Sequence, residues 1–228
     1  MICILFAMNK EAAPLLKEVE VLGEEHFGCA ELYRCKRGDR EFYVGISGVG
    51  KAFAAAALSS FATAHSDIDA FINVGVGGSK HPEKAPILSA VIASDLVEHD
   101  LDTSAVGDPV GLISGINIVE IPTDPKLNEK VAEACKTVDV PCAYGRISSG
   151  DVFFAPEDPG LKKVMERFDP LSVDMESAPF GQIAYAFGLP YAALRVITDG
   201  FHPETEYIQN VSKACEILAK ILLALLDR

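Results

Sequence analysis

The 228-residue chain lacks the cysteine spacings that mark metal and redox motifs. Its six cysteines (Cys3, Cys29, Cys35, Cys135, Cys142, Cys215) form no C-x-x-C pair and have no paired histidine. In a chain of this size they read as buried reduced thiols in a reducing compartment, so a cytoplasmic location is expected, and neither a metal site nor a cysteine nucleophile is. The histidines (His26, His65, His81, His99, His202) give no metal-ligand spacing. Basic residues are also scarce, 20 against 33 acidic, for a formal charge of −13. Nucleic acids and anionic membranes both require clustered Lys and Arg, so neither is an expected partner. Long apolar runs are missing as well. Residues 1–8 and 217–225 are too short to span a bilayer and read as a first strand and a docking helix. With no repeat, low-complexity tract or linker, a single domain over residues 1–228 is expected.

What the chain does have is apolar residues, 49% of the total, in short runs that alternate with helical patterns. The pattern predicts strands at 1–7, 30–35, 41–47, 69–74, 88–97, 116–121, 142–149, 171–175 and 190–198. It predicts helices at 9–19, 51–64, 125–137, 157–167, 178–187 and 205–226, with a loop at 98–115. Helices between strands imply an α/β fold: three layers, α/β/α, around a central mixed, mostly parallel sheet.

Two carboxylates fall where such strands would emerge. One is in Val173-Asp174-Met175-Glu176-Ser177-Ala178 and the other in Leu194-Arg195-Val196-Ile197-Thr198-Asp199-Gly200. Ligands of open α/β sheets bind at that rim, so the pair reads as catalytic. The plainer alternatives are a helix cap for Glu176, a turn residue for Asp199 and an ion-pair partner for Arg195. His99 is expected to be a polar loop residue.

Two glycine-rich segments accompany these acids. Gly45 to Lys51 does not complete the G-x-x-x-x-G-K-[ST] motif, because Ala52 stands where the magnesium-binding hydroxyl would be. Gly75-Val76-Gly77-Gly78 follows a strand without a helix start behind it, which makes it a weak dinucleotide fingerprint. Each reads equally well as close backbone approach to a small ligand or as a tight turn.

The ordered set Ala7-Met8-Asn9-Lys10-Glu11, Ser47-Gly48-Val49-Gly50-Lys51, Asn73-Val74-Gly75, His99-Asp100-Leu101-Asp102, Ser149-Gly150-Asp151-Val152-Phe153, Val173-Asp174-Met175-Glu176 and Arg195-Val196-Ile197-Thr198-Asp199 spans residues 1 to about 200. It resembles the purine nucleoside phosphorylase/uridine phosphorylase superfamily, most of all its 5′-methylthioadenosine/S-adenosylhomocysteine nucleosidase branch. The resemblance implies a phosphorylase/hydrolase-like fold, a homodimer, a small-molecule nucleoside substrate and no cofactor. By resemblance, Asp199 is the general acid at purine N7. Glu176 binds the ribose hydroxyls with Met175 beneath the sugar, and Glu11, assisted by Arg195, activates water. Phe153 stacks on the base, the Phe154 backbone reads the purine edge, and Ser47-Gly48 approach with backbone only. Val76 stands where the family often has a serine that helps hold the water.

This assignment makes chemical demands. A purine anion is a poor leaving group, so an acid at the base end must arrive protonated. Aspartate titrates near ~3.9, and holding it protonated at neutrality takes roughly three units, about 4 kcal/mol, from burial and hydrogen bonding. Glu176, accepting from two hydroxyls beside a cationic sugar, is expected to be ionised. Phosphorolysis would need a cationic cradle. The phosphorylases' Gly-Asp-Pro-x-Arg loop is replaced here by residues 7–11, and Gly107-Asp108-Pro109 lies far down the chain, so hydrolysis to release adenine is expected. Val76, Thr198, Phe154, Ser177-Ala178-Pro179-Phe180 and the 99–115 loop depart from the family pattern and keep futalosine-type hydrolysis open. Purine nucleoside phosphorolysis and non-catalytic nucleoside binding are the remaining alternatives.

Overall fold

The computed structural model describes residues 1–155, 157–200 and 202–228. In chain order these give β1 (Ile2–Phe6), α1 (Asn9–Leu16), β2 (Glu20–Phe27), β3 (Ala30–Arg37), β4 (Arg40–Ile46), α2 (Lys51–Ala64), β5 (Ala70–Gly78) and β6 (Ala90–Glu98). There follow β7 (Ile121–Pro122), α3 (Pro125–Thr137), β8 (Cys142–Ser149), α4 (Pro159–Phe168), β9 (Ser172–Asp174), α5 (Ser177–Phe187), β10 (Tyr191–Asp199) and α6 (Pro203–Leu226).

All ten strands join one mixed sheet. β4, β1, β5 and β10 run parallel side by side, with the β2–β3–β4 meander extending one end. At the other end the sheet closes on itself: β10 pairs β6, β6 pairs β8, β8 pairs β9, and β9 returns to β5 through Gly78 and Val173. Alternation along β1 shows why both faces are covered. Ile4 and Phe6 belong to the core that contains the buried faces of α1, α3 and α6, while Cys3 and Leu5 belong to the one that contains those of α2 and α5. The three-layer α/β/α architecture is therefore as expected.

The differences from expectation have local causes. β2 was not anticipated: its sequence, Glu-Val-Leu-Gly-Glu-Glu-His-Phe, lies exposed at the sheet edge along nearly its whole length, so no buried face stamps a period on it. The 116–121 strand reduces to Ile121–Pro122 and an isolated Ile113–Ile118 bridge. β5 continues through Gly75, Val76, Gly77 and Gly78 in register with Arg195 to Asp199 of β10, so this glycine segment is strand and not turn. All six cysteines are unpaired, but Cys29, on the β2–β3 turn, is exposed and not buried.

Candidate active site

A cavity of about 370 Å³ opens over the C-terminal ends of β5, β9 and β10. Glu11, Glu176, Asp199, Met175, Phe153, Phe154 and Val76 all line it, so the fold brings together seven residues singled out in the sequence. Arg195, Ser47 and Gly48 do not line it. Ser47 is fully buried with its hydroxyl on the Gly48 carbonyl at 2.7 Å, and Val49 is the residue of that turn that faces the cavity.

The glycines of β5 explain how the acids fit. A Cβ at Gly75 would lie 2.9 Å from Glu11 Oε1, and one at Gly78 would lie 2.8 Å from Asp199 Oδ2. At Gly77 it would lie 2.6 Å from Ser172 Oγ. The strand is stripped of side chains where carboxylates from elsewhere occupy the space.

Glu11 sits in the first turn of α1, where its Oε2 accepts from the Met8 amide and its Oε1 from the Val76 amide, both at 3.1 Å. Burial raises its pKa, opposed by the nearby Arg195 charge and these amides. Position 76 thus holds Glu11 through its backbone amide, a bond that does not depend on the serine hydroxyl expected there to help hold the water. Asp199 ends β10 and accepts from Thr198 Oγ1 at 2.6 Å. Burial raises its pKa, the Thr198 bond opposes this, Glu206 reinforces it and Lys80 counters it. The direction is the one an acid catalyst needs.

Glu176 is held by a strand-to-helix turn remote in sequence. It occupies the N-cap position of α5, yet its side chain makes no capping bond; its Oε1 accepts from the Gly50 amide at 2.8 Å. Burial, and then the like charge of Asp174, lift its pKa to about 8, against the pull of Arg195 and the Gly50 amide. These surroundings favour the protonated form, so the ionised state expected of a group that accepts two ribose hydroxyls must draw on those hydroxyls and the cationic sugar.

Arg195 lies behind the site. Its Nε is 2.6 Å from Asp174 Oδ2 and its Nη2 donates to Asn73 Oδ1 at 2.5 Å, so it is an ion-pair partner that reaches the cavity only through its charge on Glu11 and Glu176. Asp174, which also accepts from the hydroxyls of Ser149 and Ser177, was given no role in the sequence, although a second acid two residues before Glu176 was the available signal. Tyr207 of α6 lines the cavity edge-on to Phe153, with ring centroids 5.7 Å apart; no pattern in its helix marks it out. Lys80 is the cation of the lining, and its ammonium donates to the Gly200 carbonyl. His99 is buried outside the cavity, its Nδ1 2.7 Å from Ser148 Oγ and its ring 5.4 Å from that of Phe154, which it backs. Among the described residues no cluster of His, Cys, Asp and Glu is placed to hold a metal, and no helix is long and apolar enough to cross a membrane.

Comparison with known proteins agrees with this geometry. Residues 1–227 match the phosphorylase superfamily. The aminodeoxyfutalosine nucleosidase of Campylobacter jejuni is 28% identical over 100% of this chain and 98% of its own. The 5′-methylthioadenosine/S-adenosylhomocysteine nucleosidase of Shewanella pealeana is 30% identical over 99% and 98%. The structure of a futalosine hydrolase from Helicobacter pylori superposes with a TM-score of 0.91 at 27% identity, covering 99% of this chain and 97% of that one. The chain belongs to the phosphorylase superfamily, in the branch of the 5′-methylthioadenosine/S-adenosylhomocysteine nucleosidases, and is a purine nucleoside hydrolase.

Proposed function

We propose that the protein hydrolyses the N-ribosidic bond of a 5′-modified purine nucleoside, 5′-methylthioadenosine or S-adenosylhomocysteine, to release adenine. The observation that carries this reading is the convergence of Glu11, Glu176 and Asp199 on one cavity whose only lysine or arginine, among the described residues, is Lys80. Asp199 protonates N7 as the C1′–N9 bond breaks, so that the base departs neutral. Glu176, ionised once it accepts the ribose hydroxyls, stabilises the cationic sugar with Met175 beneath it. Glu11 takes a proton from the water that attacks C1′. Phe153 stacks on the base and the Phe154 backbone reads its edge. Arg195 acts indirectly by keeping Asp174 and Glu11 in place.

A second reading has its own support. Relatives named for aminodeoxyfutalosine and futalosine stand beside those named for methylthioadenosine, so hydrolysis of a futalosine-type nucleoside is the competing assignment. Both substrate types would meet the same acids; the 5′ substituent distinguishes them. Adenine release from methylthioadenosine and S-adenosylhomocysteine, measured beside base release from futalosine and aminodeoxyfutalosine with and without phosphate, separates the possibilities. Turnover of the futalosines alone sinks the first reading, and a phosphate requirement sinks hydrolysis.

We also propose a homodimer. Val49 and Val152 of the cavity lining are 45% and 43% exposed, and Phe53, beside Gly48, is 50% exposed, apolar surface suited to a second copy of the chain. A monomeric mass by light scattering at working concentration would refute it. Cytoplasmic purine and methionine salvage is the proposed setting.

A further inference from the structure

Lys51 opens α2 in a segment with the look of a phosphate loop, but the structure gives this lysine another occupation. Its ammonium donates to Glu98 Oε2 at 2.5 Å and to Asp100 Oδ1 at 2.7 Å. Its backbone amide donates to Asp151 Oδ1 at 2.8 Å, and the Asp151 amide donates to Asp100 Oδ2 at 2.9 Å. Lys51, Asp100 and Asp151 thus form a closed ring, with Glu98 as a buried fourth member, and none of the four lines the cavity. Both flanks of the ring do reach it. One residue before Lys51, the Gly50 amide holds Glu176 at 2.8 Å. Directly after Asp151 come Val152, Phe153 and Phe154, all in the cavity wall. Gly50 is held at φ +99°, and a Cβ there would lie 3.0 Å from Asp151 Oδ1, so backbone and ring are fitted to each other.

We propose that Lys51 is a positioning residue of the nucleosidase: by bridging Glu98 and Asp100 it locks the first turn of α2 to the 150–154 segment, and so fixes both the Gly50 amide on Glu176 and the aromatic wall of Phe153 and Phe154. The inference rests on the reading of Glu176 as the ribose clamp. Without the ammonium, the buried Glu98 loses its counter-charge beside Asp100, and a carboxylate left unpaired in that position drives the segments apart. Glu176 faces Asp174 and Glu11 as like charges and Arg195 as an opposite one. Loosening the Gly50 amide removes the one hydrogen bond on Glu176 that favours its charged form.

The test compares wild type with Lys51→Met, Lys51→Arg and Asp151→Ala. The readouts are KM and kcat for adenine release from methylthioadenosine, and the titration of Glu176 followed by carbon-13 carboxylate NMR. Lys51→Met is expected to raise KM about tenfold with a smaller change in kcat, and to move the Glu176 titration upward by about half a pH unit. Lys51→Arg recovers most of both, because a guanidinium also spans two carboxylates. Asp151 is exposed, so Asp151→Ala opens the same ring with little risk to folding and is expected to shift both readouts in the same direction. Wild-type KM and wild-type Glu176 titration in folded Lys51→Met, or in Asp151→Ala should the first variant not fold, overturn the proposal. A wild-type protein that releases no base overturns the substrate reading instead, and the Glu176 titration still decides the part played by Lys51.

Discussion

The Nε of Arg195 lies 2.6 Å from Oδ2 of Asp174, and each side chain is only 2% exposed. Two charges at that depth are tolerated as a pair and not singly. Asp174→Leu, which strands the guanidinium, is expected to cost about 3–5 kcal/mol, a fall in Tm on the order of 10 °C for a chain of this size. Thermal melts check this. A melt unchanged from wild type would mean that the pair supports nothing.

Asp199 and Gly78 form a second test. Asp199→Asn removes the proton that N7 needs, and base release is expected to fall by about 10²–10⁴-fold while nucleoside binding persists. Gly78→Ala keeps the acid but sets a methyl 2.8 Å from its Oδ2. Turnover should drop by at least about tenfold with it. Single-turnover kinetics with calorimetric binding checks both, and near-normal rates in Asp199→Asn would remove that residue from its role.

The Glu176 carboxyl supplies a pH prediction. Its pKa in the fold, about 8, lies above the ordinary 4.5, so the folded state binds more protons than the unfolded state between those values. The stability linked to this proton is fully present below pH 4.5 and is lost as pH rises through 8. Glu176→Gln cannot ionise and escapes that loss. Melts of the two proteins from about pH 5 to about pH 9 should therefore show the variant gaining on wild type as pH rises. Parallel curves would contradict the assignment.

Glu11 and Val76 separate backbone from side chain. The Val76 amide, not its side chain, holds Glu11, so Val76→Ser should alter kcat only about threefold or less. Glu11→Gln removes the base and is expected to lower kcat by about 100-fold or more. Steady-state kinetics decides, and a larger effect at position 76 than at 11 would reverse the roles.

Glu176 and Asp199 were legible because each lies just past an apolar run, a pattern written in adjacent residues, whereas Glu11 was legible only through the resemblance. The strand character of Gly75 to Gly78 was not. Glycines read locally as a turn, and the side chains that require them come from Glu11, Ser172 and Asp199, remote in sequence. The same distance hid the raised pKa of Glu176, which comes first from burial and then from the like charge of Asp174. Arg195 was placed in the chemistry by the resemblance, yet its guanidinium is taken by Asp174 and Asn73 and does not line the cavity. β2 escaped because a strand exposed at an edge carries no hydrophobic period.

The closure of β5, β10, β6, β8 and β9 on one another has a consequence for amide exchange. β2 presents one edge to solvent, and its amides are open to exchange by local fraying. Amides shared between β5 and β10 are released only when the ring itself opens, so their deuterium uptake should be slowest in the chain, at a rate that reports global unfolding. Access for the substrate then depends on the rim segments that overhang the strands, and the strand ends beneath them act as a fixed anvil.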